Sequence, residues 1–235
     1  MVHISGGSFL MGSPDSDPDR RADEDQYSVE VSDFRISRYP ITNAQYASFL
    51  TAMKVPATGE YNGKRLISMP HPFLNCTYAN NEYTWNVHDG GENHPVSGIS
   101  WQGADAFARW HGGSLPSEAQ WEYACRAGTK TPYYIDLSIT SLDKYAWYIQ
   151  NNNTAPGNGI GTKPVGGKYY NPYGLCDMMG NVWEWCLDWY GTSTDKRVLR
   201  GGAFDSPATD CRSAARFSAE PENAGANYGF RIVME

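Results

Sequence analysis

The side chains best able to do chemistry in this sequence are its five cysteines, five histidines and the carboxylates placed among its aromatic blocks. Cys76, Cys125, Cys176, Cys186 and Cys211 include no Cys-x-x-Cys pair, the close spacing on which structural zinc sites draw. An odd number of cysteines in a chain of 235 residues does not make a disulfide framework either. Buried free thiols are the expected state. His3, His71, His88, His94 and His111 are scattered, with no His-x-x-x-His pair, so an imidazole-held metal is not expected. No Gly-x-Ser-x-Gly element or Ser-His-Asp arrangement offers an activated nucleophile.

The elements that must position these groups are only partly marked. Thr42 caps a helix whose apolar positions Tyr46, Phe49, Leu50 and Met53 follow the 3.6-residue period. Ser100 caps a second, Trp101 to His111, which ends at Gly112 and Gly113. Ser117 and Gln120 form a capping box for a third that stops near Gly128. Strand-like runs lie at Tyr27–Ile36, Val182–Leu187 and Phe230–Val233, and the stretch from Thr129 to Tyr173 has little periodicity. The segment Pro14 to Asp25 reads as a solvated loop. This is an α+β pattern, rich in irregular loops, in one domain over residues 1–235.

Composition narrows the function classes. Hydrophobic residues make up 40% and charged residues 19% of the chain, enough for a core and too apolar for general disorder. The 8 Trp, 16 Tyr, 24 Gly and 14 Pro suit loops held down by aromatic anchors. A net charge of -7 argues against sequence-independent nucleic-acid binding, which needs a basic footprint. No apolar run approaches the roughly 20 residues of a membrane span, so membrane insertion is not expected. The start, MVHISGGSFLMGS, has no basic stretch before an apolar core. Without a signal peptide, a cytoplasmic or virion-associated protein is expected, or a domain cut from a longer chain.

Seven blocks occur in order: GGSFLMGS, YPITNAQYASFL, HPVSGISWQGADAFARW, LPSEAQWEYACRAG, KPVGGKYYNPYGLCDMMGNVWEWCLDWY, RVLRGGAF and YGFRIV. Together they resemble the formylglycine-generating-enzyme family, also called the sulfatase-modifying-factor domain, from Gly6 to Val233. The resemblance implies that family's variety of the C-type-lectin-like fold. The blocks also make physical sense as scaffold. Trp183 and Trp185 are two apart and share one strand face. Gly201, Gly202 and Gly229 allow close backbone approach or positive φ.

The resemblance carries three expectations about function. The family's enzymes oxidise a substrate cysteine with copper held by two thiolates after an RGGS block, a soft pair that suits Cu(I). Here that stretch is RGGAFDSPATDCRSAAR, about three residues shorter, with Ala203 for the Ser and Cys211 as the one thiol. Copper is therefore not expected. Iron is not expected either, because the iron-using relatives carry it on an added helical domain absent here. Calcium is the cation that the GNVWEW block implies, with Asp177 and Glu184 side chains and Gly180 and Val182 carbonyls as ligands, an oxygen set suited to a hard ion. The alternative is that both carboxylates bond groups of the loop itself. The family's other calcium site needs an acidic residue before G-T-x-P-V, and GNGIGTKPV offers none.

The remaining expectation is ligand display. Variable proteins of diversity-generating retroelements use the same scaffold and randomise positions between RGG and GFR. Here residues 203–228 hold Phe204, Asp205, Ser206, Thr209, Asp210, Ala215, Phe217, Ser218, Ala224, Ala226, Asn227 and Tyr228. They have no hydrophobic period and resemble a binding surface, in which rigid aromatics supply contact area at small entropic cost. The reading is a non-catalytic protein that binds a protein or glycan ligand. Its alternatives are an ordinary polar loop, or an oxidoreductase or maturation factor that uses Cys211 with other groups. Display implies that truncating Phe217 or Tyr228 to Ala leaves stability almost unchanged.

Overall fold

The caps and helical periods mark three helices with little ambiguity. The computed structural model describes residues 1–137, 140–152 and 161–235. In it α1 spans Asn43–Ala52, with Thr42 and Gln45 bonding reciprocally as a capping box. The second helix, α2, spans Trp101–Trp110 from an Ser100 cap, and α3 spans Glu118–Arg126 from a Ser117–Gln120 capping box. Met53 and His111, expected as helical, are the C-caps of α1 and α2. A single short turn, α4, covers Ile149–Asn152. Within the aperiodic stretch 129–173, residues 138–139 and 153–160, including part of GNGIGTKPV, lie outside the described residues.

The strands are short and more numerous than the alternation suggests. The first four are β1 (Val2–Ile4), β2 (Gly7–Met11), β3 (Tyr27–Val31) and β4 (Phe34–Ile36). The run expected at Tyr27–Ile36 is thus split, and its two halves join different sheets. The next pairs are β5 (Glu60–Tyr61) with β6 (Lys64–Arg65), and β7 (Leu74–Ala79) with β8 (Glu82–Val87). Asn80 and Asn81 join β7 to β8 with φ of 54° and 67°, the left-handed pair that a two-residue hairpin turn needs. Last come β9 (Trp183–Trp189), β10 (Arg197–Arg200), β11 (Arg216–Ala219), β12 (Tyr228–Gly229) and β13 (Val233–Met234).

Two sheets frame the molecule, one ordered β11-β10-β9-β12 and the other β1-β4-β13. The run expected at Phe230–Val233 is not one strand. Its residues bond segment 37–41 through Ser37 N–H to Ile232 O and Ile41 N–H to Phe230 O, both 2.9 Å, while β12 and β13 lie in different sheets.

Strand β9 is buried on both faces from Trp183 to Cys186, as strands covered on both sides are. One face, with Trp183 and Trp185, joins a core built from Tyr46, Phe49, Leu50, Phe107 and Phe230. The other, with Cys186, joins Ile36, Trp121, Cys125, Met178 and Val198. The expected plug of two tryptophans is in place. Gly201 and Gly202 take φ of 96° and 74°, and a Cβ would lie 3.0 Å from the Trp121 ring at Gly201 and 2.9 Å from Cys211 Sγ at Gly202. Both positions require glycine. No helix among the described residues is long and apolar enough to cross a membrane.

His71 is buried in this frame, its Nδ1 accepting from the Phe73 N–H at 3.1 Å and its Nε2 facing Ser97 O at 3.2 Å. This pairing requires the neutral ring with a proton on Nε2. Burial lowers its pKa to about 4, against a backbone bond to Ser97 that raises it. The unfolded chain binds the proton more readily, at an ordinary value of about 6.5. The contribution is therefore complete above about pH 6.5 and is lost as pH falls toward 4. Urea unfolding at pH 4.5 and pH 7 is expected to show this slope, and His71→Gln should flatten it.

Candidate binding surface

Segment 203–228 is clamped from beneath by three arginines. Arg200, fully buried, donates to the carbonyls of Ala214 and Ala215 at 2.7 Å and of Ser213 at 2.9 Å, and pairs with Glu122 of α3. Arg212, also fully buried, bonds both Glu24 oxygens at 2.7 and 2.8 Å and Asp17 at 3.1 Å. Arg216 grips Glu118 through two bonds of 2.6 and 2.8 Å. Such forked pairs fix direction as well as distance. Stretch 14–25 is therefore not simply solvated loop: its Asp17 and Glu24 are buried as the counter-charges of Arg212.

The twelve candidate display residues divide by burial. Asp205, Phe217 and Ala226 are exposed, while Thr209, Asp210, Ser218, Ala224 and Asn227 are half-buried. Phe204, Ser206, Ala215 and Tyr228 are buried, which corrects the expectation that these four stand on the surface. Ser206 accepts the Ala203 N–H inside its own turn, and Ala215 lies at the Arg200 clamp. Tyr228 pairs in parallel register with Trp183 and packs edge-on against Trp185 at 5.4 Å. Asp210 is committed to an ion pair with Arg21.

A smaller group comes together at the surface. Phe217, 43% exposed, lies over Trp183 at 5.5 Å and beside Tyr228 at 6.3 Å. Asn227 donates to both oxygens of Asp205 at 2.9 and 3.1 Å, and burial followed by the Asp205 charge raises the Tyr228 pKa. The arrangement offers one apolar ring, carboxylate lone pairs and a side-chain amide oxygen, unbonded among the described residues, on a fixed base. It can bind by stacking and hydrogen bonding. Trp183, absent from the sequence-based site, was identifiable only as the strand-mate of Trp185.

Metal chemistry meets obstacles in this structure. Glu184 accepts from Arg231 Nε at 2.6 Å, Arg231 Nη2 at 2.8 Å and Trp121 Nε1 at 2.7 Å. Its charge is already answered by a buried guanidinium, whose pKa Glu184 raises against the cost of burial. Asp177 accepts from the Gly166 N–H at 2.7 Å and Asn181 Nδ2 at 3.4 Å, and burial raises its pKa. The Gly180 carbonyl accepts the Val182 N–H at 2.9 Å. Asp177, Gly180, Val182 and Glu184 as placed do not fit a calcium ion, because both Glu184 oxygens are taken by Arg231 and Trp121 and both Asp177 oxygens by Gly166 and Asn181.

All five cysteines are free thiols, with Cys76 half-buried and the other four buried. Cys211 touches Pro207 O at 3.9 Å, and burial pushes its thiol far above the ordinary range. Cys125 faces Ser213 Oγ at 3.7 Å and Met178 O at 3.8 Å. Neither sulfur has the electropositive, accessible setting of a reactive thiolate.

The sulfatase-modifying factor enzyme 1-like domain model matches residues 1–235. The chain belongs to this family. It is 31% identical over 282 residues to the formylglycine-generating enzyme of Thermomonospora curvata, covering 100% of this chain and 93% of that one. Among solved structures it is similar to PvdO from Pseudomonas aeruginosa, with a TM-score of 0.76, 27% identity and coverage of 100% and 93%. It also superposes on Treponema denticola variable protein 1 with a TM-score of 0.71, 21% identity and coverage of 99% and 94%. The fold is thus the C-type-lectin-like form shared by formylglycine-generating enzymes and retroelement variable proteins.

The two aromatics expected to behave alike should part company. Tyr228→Ala is expected to cost on the order of 3 kcal/mol, as for a buried aromatic, and Phe217→Ala less than about 1 kcal/mol. Denaturant midpoints for the two variants check this.

Proposed function

We propose that this family member is a binding protein, and that its surface at Phe217, Asp205 and Asn227 holds a protein or glycan ligand without oxidising it. The observation that carries the reading is an exposed ring backed by buried aromatics, beside a bonded Asp–Asn pair, on a segment clamped by Arg200, Arg212 and Arg216. A rigid base means that little conformational entropy is lost on binding. Phe217 supplies desolvation and stacking, Asp205 accepts ligand N–H or O–H groups, and the Asn227 side-chain Oδ1 adds an acceptor. Cys211 supports the same reading: it is the one thiol of residues 203–228, and its burial disfavours the thiolate that copper would need.

The second reading, an oxidoreductase, is favoured by the identity to the Thermomonospora curvata enzyme across the whole chain. Cu(I) titration followed by incubation with oxygen and a cysteine peptide separates the two. No tight one-to-one site and no aldehyde product are expected. Aldehyde that disappears in Cys211→Ala would establish the enzyme instead. On protein and glycan arrays, the native chain should select a ligand whose affinity falls about tenfold or more in Phe217→Ala.

A further inference from the structure

We propose a second binding site, for a small carboxylate with an apolar body, in the groove between the start of α1 and the segment preceding β13. The groove has a volume of about 560 Å3, within the range of small-molecule sites. Ile41 and Ile232 are buried along it, and Val165, held by its N–H to Asn93 O at 2.8 Å, lines it from the loop side.

Polar groups at its edge are all able to donate. Arg38 has its carbonyl fixed by the Cys176 N–H at 3.0 Å and Arg231 at 3.3 Å, while its own exposed guanidinium forms no salt bridge or hydrogen bond among the described residues. Gln45 spends its Oε1 on the Thr42 N–H at 2.9 Å, and its amide N–H groups form no hydrogen bond among the described residues. Asn93 contributes a second amide, and His111 an imidazole steadied against Phe107 at 5.9 Å. No Asp or Glu is among the described lining residues, although acidic residues outnumber basic ones 26 to 19 in the chain.

A single free guanidinium matches the planar, two-oxygen edge of a carboxylate. Amide donors can share its remaining lone pairs, and an aliphatic or aromatic body would cover the exposed Tyr39 ring and the half-buried Val165, which line the groove beside the buried Ile41 and Ile232. This site shares no residue with the surface at Phe217, so either can fail alone.

Calorimetric titration with octanoate, using octanol as the neutral analogue, tests the assignment. Octanoate is expected to bind about tenfold or more tightly than octanol. That difference should vanish in Arg38→Gln and persist in Arg35→Gln, which removes an exposed charge from neighbouring β4. Equal binding of octanoate and octanol, an unchanged affinity in Arg38→Gln, or an equal loss in Arg35→Gln would overturn it.

Discussion

The buried pair between Arg231 and Glu184 is the contact on which the rest of the structure depends. Glu184 projects from the start of β9 on the face that also carries Cys186, fully buried beside Trp121, where an unpaired carboxylate would be strongly disfavoured. Two bonds from Arg231 and one from Trp121 satisfy it, which ties β9, α3 and the C-terminal segment into one unit. Arg231 also bonds the carbonyls of Ser37, Cys176 and Asp177 at 3.0 to 3.3 Å. A guanidinium thereby organises irregular backbone, the task that an ion performs in many loop-rich proteins.

The same device recurs beneath residues 203–228. Arg200, Arg212 and Arg216 reach Glu122, Glu24 and Glu118, and each also ties down backbone carbonyls. Buried pairs of this kind add little net stability over apolar packing, but breaking one is costly. Their effect here is positional. Fixing the underside of the segment leaves Asp205, Phe217 and Asn227 at a surface whose backbone is held mainly from below, whereas the Tyr228 ring is buried against Trp185.

Local features were legible in the sequence. Capping at Thr42, Ser100 and Ser117 involves residues three apart and reads directly, and the Trp183–Trp185 plug follows from strand geometry. The Asn80–Asn81 turn carried a usable local signal for the β7–β8 hairpin that alternation alone did not reveal. Ion pairs between residues 188, 98 and 47 positions apart, as for Arg212–Glu24, Arg216–Glu118 and Arg231–Glu184, have no local signature. For that reason the sequence alone makes segment 14–25 look solvated and leaves open whether Glu184 holds a metal or bonds groups of the protein. Phe217 and Tyr228 sit alike between the RGG and GFR blocks, and only the pairing of Tyr228 with Trp183 sends one ring inward. The family blocks supplied the overall architecture, which periodicity alone could not.

If Arg231 is the cation of this fold, calcium has no structural part to play at Glu184. Equilibrium unfolding of the native chain and of Glu184→Gln, each with excess calcium and with chelator, tests that most directly. The account predicts a loss of about 3–5 kcal/mol in Glu184→Gln, unchanged by calcium, and a native chain indifferent to chelation. A native chain that loses stability on chelation, with that response absent from Glu184→Gln, would contradict it.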